Sequence, residues 1–279
     1  FAMVGITVGG LLNIALDPLF IFTLDMGTAG AALATGLSQF ISFCILLWMC
    51  NHQDSCISIS IRKFRPKLAI YREVLYGGIP SLGRQGIASV ATILMNFMCQ
   101  PYGDAAIAAM SIVSRFMFFI NSVIIGFGQG FQPVCGFNFG AKKYDRIRQG
   151  YRISFGILTI WGLIITAAFV LLPRPISGLF FHDPESLGIS VNYLIIIGFC
   201  EAFMAIELMT IGALSGLGMT KLCSIISIIL TGARIPLAML LTHAGMGLNG
   251  IWWALSLTSI VKGIIFTLTF RQTSRTKLN

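Results

Sequence analysis

Eight apolar stretches, each long enough to cross a lipid bilayer, alternate along the chain with short polar connections. They cover residues 2–24, 28–50, 78–99, 105–138, 153–172, 187–215, 222–242 and 247–270. At a rise of ~1.5 Å per residue, about 20 apolar residues form a helix that spans the ~30 Å hydrocarbon core. Backbone groups in lipid must be hydrogen-bonded within the segment, which favours helices. The pattern therefore predicts an all-α, polytopic integral membrane protein with eight spans.

Two details of this pattern predict irregular structure. The fourth stretch is too long for one straight span and contains Gly130 and Pro133, so we expect a kink or a break there. Two basic amphipathic stretches, residues 62–76 and 141–152, connect spans and are expected to lie at the membrane interface.

The composition agrees with a lipid environment. Apolar residues make up 56% of the chain and charged residues 10%, whereas a soluble domain carries about 25% charged residues. The net charge is +9, but the basic residues cluster in the connections, so we predict no nucleic-acid partner. The seven cysteines form no CxxC motif and most lie in apolar stretches, which indicates small buried hydrophobes rather than disulfides or metal ligands.

Lysine and arginine are distributed unequally between alternate connections. Residues 51–77 and residues 139–152 each hold five of them. Lys221 follows the sixth span, and three more lie in residues 271–279. The connections on the opposite side hold only Arg174. Because basic residues are retained on the cytoplasmic side, we predict a plasma-membrane protein in which both ends of this chain are cytoplasmic.

A short motif occurs twice, at an offset of about 220 residues. Met26-Gly27-Thr28-Ala29-Gly30 and Met246-Gly247-Leu248-Asn249-Gly250 each open a span, and each follows a span that contains a proline. Both copies have the same predicted orientation, which indicates a parallel repeat. If one copy of the repeat has six spans, the last six spans form a complete copy and the first two end another.

This reasoning predicts four segments. Residues 1–50 form the last two helices of one copy, residues 51–77 a cytoplasmic linker with an amphipathic helix, residues 78–270 a complete six-helix copy, and residues 271–279 a cytoplasmic tail.

Five stretches of the chain carry a family resemblance. They are NIALDPLFIF (13–22), GTAGAALATGLSQ (27–39), GGIPSLGRQGIASVATILMN (77–96), GDAAIAAMSIVSR (103–115) and GFGQGFQPVCGFNFGAKKYDR (126–146). Over essentially its whole length the chain resembles the multidrug and toxic compound extrusion (MATE) family, most of all the bacterial multidrug exporters of the Gram-positive type.

The resemblance implies a fold of twelve spans in two six-span lobes. This chain would hold the last two spans of the N-lobe and the complete C-lobe, and would be truncated at its N-terminus. The resemblance also implies that the protein exports amphipathic, often cationic drugs in exchange for H⁺ or Na⁺.

Asp17 is the sharpest candidate for ion coupling, because it is the only acidic residue within the first two stretches. A lone carboxylate at membrane depth costs at least ~2.5–3.5 kcal/mol and needs a partner, a cation or a proton. Asn13 lies four residues earlier on the same helical face, and Thr35 on the next span adds a hydroxyl. The resemblance implies that these three residues form the cation site. The alternative is that Asp17 caps a turn before Pro18.

Further polar residues lie within the predicted spans of the second copy. Glu201 and Glu207 could form a second protonation or drug-cation site, or structural ion pairs with the cations available in the spans, Arg84, Arg115 and Arg234. Gln129 and Gln132 share a helical face and either contact the drug or satisfy backbone groups opened at Pro133. Lys262 is expected to extend its ammonium group towards the interface.

We therefore predict a secondary active antiporter that binds small-molecule drugs within the lipid bilayer, acts as a monomer and is not an enzyme. It has no nucleotide-binding lysine motif, no nucleophile–base motif and no predicted cofactor other than the coupling ion, H⁺ or Na⁺. The glycine-rich sequence 126–130 is expected to allow close helix contact or a hinge. Two alternatives remain open: a lipid-linked sugar flippase of the same superfamily, and an inactive fragment of a transporter.

Overall fold

The computed structural model of the protein describes residues 2–52 and 67–277. These residues are almost entirely helical and contain no strand. The chain divides into two compact units, Phe1–Tyr71 (unit 1) and Arg72–Asn279 (unit 2). The predicted all-α polytopic fold is confirmed.

Unit 1 contains two long apolar helices that pack against each other. Helix α1 spans Ala2–Pro18 and continues as a π-helical turn, Leu19–Thr23, before helix α2 spans Gly27–His52. Small residues allow the two helices to approach closely: a side chain at Gly9 would touch Ser42, and the Ser42 hydroxyl donates a hydrogen bond of 2.8 Å to the carbonyl of Gly5. Glycine and serine at a helix contact are typical of membrane helices, where close backbone packing replaces the hydrophobic effect.

Unit 2 contains eight α-helices among its described residues. They are α3 (Leu68–Cys99, which starts at the end of unit 1), α4 (Asp104–Gly140), α5 (Tyr144–Leu171), α6 (Pro173–Gly178), α7 (Pro184–Gly198), α8 (Glu201–Gly216), α9 (Thr220–Leu241) and α10 (Leu248–Lys277). Helix α8 is central, because α4, α5, α9 and α10 all pack against it.

Helix α4 runs unbroken through Gly130 and Pro133. Of the kink or break that was predicted there, the break is absent. Glycines hold α4 against α8 on both sides of the proline. A side chain at Gly212 would overlap the Gly128 carbonyl, and a side chain at Gly216 would overlap the Gln132 carbonyl. The two backbones are therefore in direct contact, and this packing keeps α4 helical although Pro133 lacks an N–H donor. The close contact expected of the glycine-rich sequence is confirmed at Gly128.

The break occurs instead in the sixth apolar stretch, where α7 and α8 meet at an angle of 53°. Side chains from neighbouring helices bind the carbonyls that the bend leaves free. The Thr166 hydroxyl donates to the Gly198 carbonyl at 2.8 Å, and the Ser256 hydroxyl donates to the Ile196 carbonyl at 2.8 Å. Such side-chain donors are what allow a helix to bend at membrane depth.

The two basic connecting stretches are largely helical where the structure describes them. Residues 144–152 are the first turns of α5, and residues 68–76 are the first turns of α3. The rest of the predicted 51–77 linker, residues 53–66, lies outside the described residues. Residues 271–277 of the predicted tail continue α10.

Six of the described helical segments are long and apolar enough to cross a membrane, and the bent pair α7 and α8 makes a seventh. Helix α3 has 32 residues and is long enough to span, but it carries Arg84, Gln85 and Asn96 and is not one of these segments. By length and composition the structure thus supports up to seven spans, and the eighth in our prediction rests on α3.

The repeated motif has the same local structure in both copies. A π-helical turn lies just before the first glycine of each motif: Leu19–Thr23 ends before Met26, and Thr242–Met246 ends at the first residue of the second motif. The first glycine of each motif has a positive φ, +53° at Gly27 and +52° at Gly247. The second glycine packs on backbone of the preceding helical segment, Gly30 on Phe20 and Gly250 on Leu241.

The core of unit 2 is formed by large side chains packed between helices. Trp252 is fully buried and stacks on Tyr193 with 4.1 Å between ring centroids. Tyr151 stacks on Phe270 at 3.6 Å. The cysteines in this unit are buried as predicted, at Cys99, Cys135, Cys200 and Cys223; Cys44 and Cys50 in unit 1 are less buried, and Cys56 lies outside the described residues.

Candidate functional site

The structure brings together the three residues that were predicted to form an ion site in unit 1. The side-chain amide of Asn13 on α1 donates to Asp17 Oδ1 at 3.4 Å and to Thr35 Oγ1 on α2 at 3.4 Å. The Thr35 hydroxyl in turn donates to the Ala31 carbonyl at 3.0 Å. Asn13 therefore connects the carboxylate to the hydroxyl, and the three side chains form one polar cluster between two apolar helices.

The geometry of this cluster bears on its chemistry. Asp17 is half-buried, lies inside α1 and contacts the Asn13 side chain. In the described part of the chain no lysine, arginine or histidine lies within ion-pairing distance of its carboxylate. A lone carboxylate with a neighbouring amide and hydroxyl oxygen can hold a proton or a small monovalent cation. No group of three or more His, Cys, Asp or Glu that could hold a multivalent metal occurs among the described residues.

A buried ion pair connects α8 to α10 in unit 2. Lys262 Nζ lies 3.4 Å from Glu207 Oε1, and the two residues are only 7% and 6% exposed. Sequence analysis expected Lys262 to reach the interface, and this expectation is wrong. For Glu207 it left open a protonation site or an ion pair with an arginine; the structure shows an ion pair, formed with Lys262 and not with an arginine. Helix α10 packs along α8 and places the lysine inside the bundle, where its ammonium neutralises the glutamate.

Arg234 on α9 lies close to this ion pair. Its Nε donates to Thr258 Oγ1 on α10 at 3.0 Å, and it interacts electrostatically with both Glu207 and Lys262. No carboxylate of the described residues lies within ion-pairing distance of its guanidinium group. The ion pair and Arg234 together therefore carry an excess of positive charge.

Glu201 is the first residue of α8 and lies at the bend after α7. It is fully buried, and neither carboxylate oxygen has a hydrogen-bond partner among the described residues. The expected arginine pair is therefore absent for Glu201 as well. Glu201 and Glu207 play different parts in the structure, because one is paired with a lysine and the other is buried alone.

A polar cavity of about 400 Å³ lies between α3, α4, α8 and α9. Three of the predicted pathway residues, Arg84, Gln129 and Gln132, line it together. The other polar residues of its wall are Ser81, Gln85, Ser215, Thr220 and Ser224. The wall contains no acidic residue.

Arg115 on α4 is not part of this cavity. Its side chain is exposed, and it is separated along α4 from the cavity residues, which begin at Ile125. The structure therefore places Arg84 in one cavity with the two glutamines, and it places Arg234 near Glu207. Arg115 and Glu201 belong to neither of these two groups. Sequence reasoning missed the ion pair between Lys262 and Glu207. The signal that could have pointed to it was the acid Glu207 within an apolar stretch, since such an acid needs a partner or a proton.

Comparisons with known proteins agree with the fold. The chain is 26% identical over 261 residues to the multidrug export protein MepA of Staphylococcus haemolyticus, covering 93% of this chain and 57% of that protein. It is 27% identical over 258 residues to MepA of Staphylococcus aureus, covering 91% of this chain and 56% of that protein. The chain thus spans a little over half the length of the curated relatives that it matches.

Solved structures extend the likeness to the tertiary fold. A MOP superfamily transporter from Pyrococcus furiosus superposes with a TM-score of 0.89 at 25% identity, over 99% of this chain and 63% of that one. The profile of the MatE family matches residues 80–240, which is more than half of this chain. The protein therefore belongs to the MatE family and is a multi-pass membrane protein.

Proposed function

We propose that this protein is a secondary active multidrug efflux antiporter of the plasma membrane. It exports amphipathic and cationic drugs in exchange for H⁺ or Na⁺, and both ends of the chain lie in the cytosol. The relatives named as multidrug export proteins support the transport class. The chain covers only 57% of the length of one such relative. We therefore infer transport by this protein and do not take it over from that relative.

The observation that carries the coupling is the cluster of Asn13, Asp17 and Thr35. Asp17 is an acid inside an apolar helix with no cationic partner among the described residues, and its neighbours supply an amide and a hydroxyl. A group in this position responds to a proton or to Na⁺, because binding either one removes the penalty of a bare carboxylate in lipid. Pro18 follows directly, and the helix changes to a π-helical turn at Leu19. Ion binding at Asp17 therefore acts next to the least regular part of α1.

The test is Asp17→Asn in the protein reconstituted into proteoliposomes, with ethidium transport followed by fluorescence. The H⁺ and Na⁺ gradients are imposed separately. We expect wild-type transport to follow one of the two gradients, and we expect Asp17→Asn to abolish this dependence. The gradient that drives the wild type identifies the coupling ion.

The matched control is Asp25→Asn, which makes the same change at an exposed acid after the π-helical turn. Asp25 has a φ of +51°, and asparagine tolerates this conformation as well as aspartate does. The control is expected to transport as the wild type does. Full ion-dependent efflux by Asp17→Asn would refute the assignment of the site, and wild-type transport that follows neither gradient would refute the antiport mechanism.

A further inference from the structure

The cavity between α3, α4, α8 and α9 has the properties of an anion site. It is large enough for a small ligand group, at about 400 Å³, and it contains one formal charge, the guanidinium group of Arg84. The remaining polar lining consists of hydroxyl and amide groups, which donate hydrogen bonds. We propose that this cavity binds a ligand through an anionic group of the phosphate or carboxylate type, with Arg84 as its principal partner.

The charges around the cavity support this proposal. Arg84 is half-buried, and no carboxylate of residues 2–52 or 67–277 lies within ion-pairing distance of it. The nearby acid, Glu207, is already paired with Lys262. Lys262 interacts electrostatically with both Arg234 and Arg84. The protein therefore places several cations near one acid at membrane depth, and an anionic ligand would supply the missing negative charge.

The start of α9 adds hydrogen-bond donors to the same wall. Thr220 is the first residue of this helix, no side chain caps its first turn, and Thr220, Cys223 and Ser224 all line the cavity. Backbone N–H groups at a helix start are without intrahelical acceptors and carry partial positive charge. These N–H groups would strengthen anion binding in the cavity, and Arg84 remains the principal partner of the anion.

The arrangement also suggests how the anion is held. Arginine presents a planar fork of N–H groups that binds phosphate or carboxylate through two parallel hydrogen bonds. Gln129 and Gln132 on α4 line the same cavity as Arg84 and can donate amide hydrogens to the same group. A ligand with only a positive charge is repelled by Arg84, although the amide and hydroxyl oxygens of the wall could accept hydrogen bonds from it. This cavity therefore favours ligands that bear an anionic group, and a cationic drug without such a group would bind elsewhere in the protein.

The test measures binding to the full chain in phosphatidylcholine nanodiscs, by calorimetric titration at low salt. The probes are hexyl phosphate and hexyltrimethylammonium, which share a tail and differ in the sign of the head group. We expect hexyl phosphate to bind at least about ten-fold more tightly, since a charge-assisted bidentate contact is worth at least that factor. Equal binding of the two probes, or tighter binding of the ammonium probe, would overturn the proposal.

Four variants locate the site. Arg84→Gln removes the positive charge of the cavity, and Gln132→Glu adds a carboxylate to the same cavity wall. Each change is expected to weaken the binding of hexyl phosphate at least about ten-fold. Arg84→Lys retains the charge and is expected to bind more tightly than Arg84→Gln. Arg115→Gln is the control, because it removes an arginine of the same helix bundle that lies outside the cavity. Wild-type affinity in Arg84→Gln would contradict the assignment, and Gln132→Glu provides the same test should Arg84→Gln not fold.

Competition then distinguishes the two sources of such an anion. Displacement of hexyl phosphate by inorganic phosphate assigns the site to soluble anions, and displacement only by dihexanoyl phosphatidic acid assigns it to a lipid head group. Displacement by neither would overturn the proposal. Because binding is measured without any ion gradient, a failure here is distinguishable from a failure of the proposed antiport.

Discussion

Removing the ammonium group of Lys262 is expected to destabilise unit 2 strongly. At a separation of 3.4 Å, two unit charges attract by ~5 kcal/mol at an effective dielectric constant of about 20. Much of this attraction only offsets the desolvation of two nearly buried ions. Lys262→Met keeps the length of the side chain but leaves Glu207 as a buried charge without its partner. We expect a loss of ~3–5 kcal/mol in the free energy of unfolding.

The double variant Lys262→Met with Glu207→Met separates the charge effect from packing. It removes both ions and fills similar volume, so its free energy of unfolding is expected to lie within about 1.5 kcal/mol of the wild type. The single variant should therefore be less stable than the double variant. Arg234 is expected to compensate only partly in the single variant, because turning towards Glu207 would break its hydrogen bond to Thr258.

The assay is a reversible SDS titration in mixed micelles, followed by near-ultraviolet circular dichroism, which reports the buried aromatic side chains. Lys143→Met, at an exposed lysine before α5, is the control and is expected to change the free energy of unfolding by less than about 0.5 kcal/mol. A single variant as stable as this control would refute the reasoning. A double variant that loses as much as the single variant would show that packing, and not charge, determines the effect.

Three further predictions concern backbone packing and are checked by the same titration. Gly212→Ala is expected to lower the free energy of unfolding by ~1–3 kcal/mol, because the added methyl group would meet the α4 backbone. Its control, Gly130→Ala, adds a methyl group where there is open space and should not lower this free energy. Equal losses in the two variants would contradict the close contact between α4 and α8. Gly247→Ala is expected to lower the free energy of unfolding by ~1–3 kcal/mol, because the φ of +52° at this position is unfavourable for alanine. Its control, Gly232→Ala within α9, should be neutral or stabilising. Similar free energies of unfolding for the two variants would argue against backbone strain at Gly247. Ser256→Ala is expected to lose ~1–3 kcal/mol by leaving the Ile196 carbonyl unsatisfied, and an unchanged stability would show that the bend does not need this donor.

Local sequence patterns were sufficient for the parts of the site that lie within one helix. Asn13 and Asp17 are four residues apart, so any α-helix through them places their side chains on one face. Thr35 was predicted to join them as a neighbour on the next span, and the structure places its hydroxyl 3.4 Å from the Asn13 amide. This prediction succeeded because two consecutive spans joined by a short turn must pack as antiparallel neighbours.

The partners of Glu207 and Glu201 could not be predicted in this way. Lys262 is far from Glu207 in the sequence, and helical periodicity gives the face of each residue but not which two faces meet. The same ambiguity made three arginines look equally suitable, although Lys262 is the residue that forms the ion pair. Likewise Pro133 suggested a broken helix, since the sequence does not show that α8 supports α4 on both sides of the proline.

The sequence by itself determined that this protein is an all-α membrane protein, that it resembles one transporter family, and that an acid at Asp17 lies in an apolar span. These properties follow from hydropathy and spacing along single helices, which are local. Only the tertiary structure decided where the span bends, which cation neutralises Glu207, and that Arg84 shares a cavity with Gln129 and Gln132. These features depend on contacts between helices that are distant in the sequence, and in lipid such contacts are selected by close packing and by polar pairing rather than by hydrophobicity.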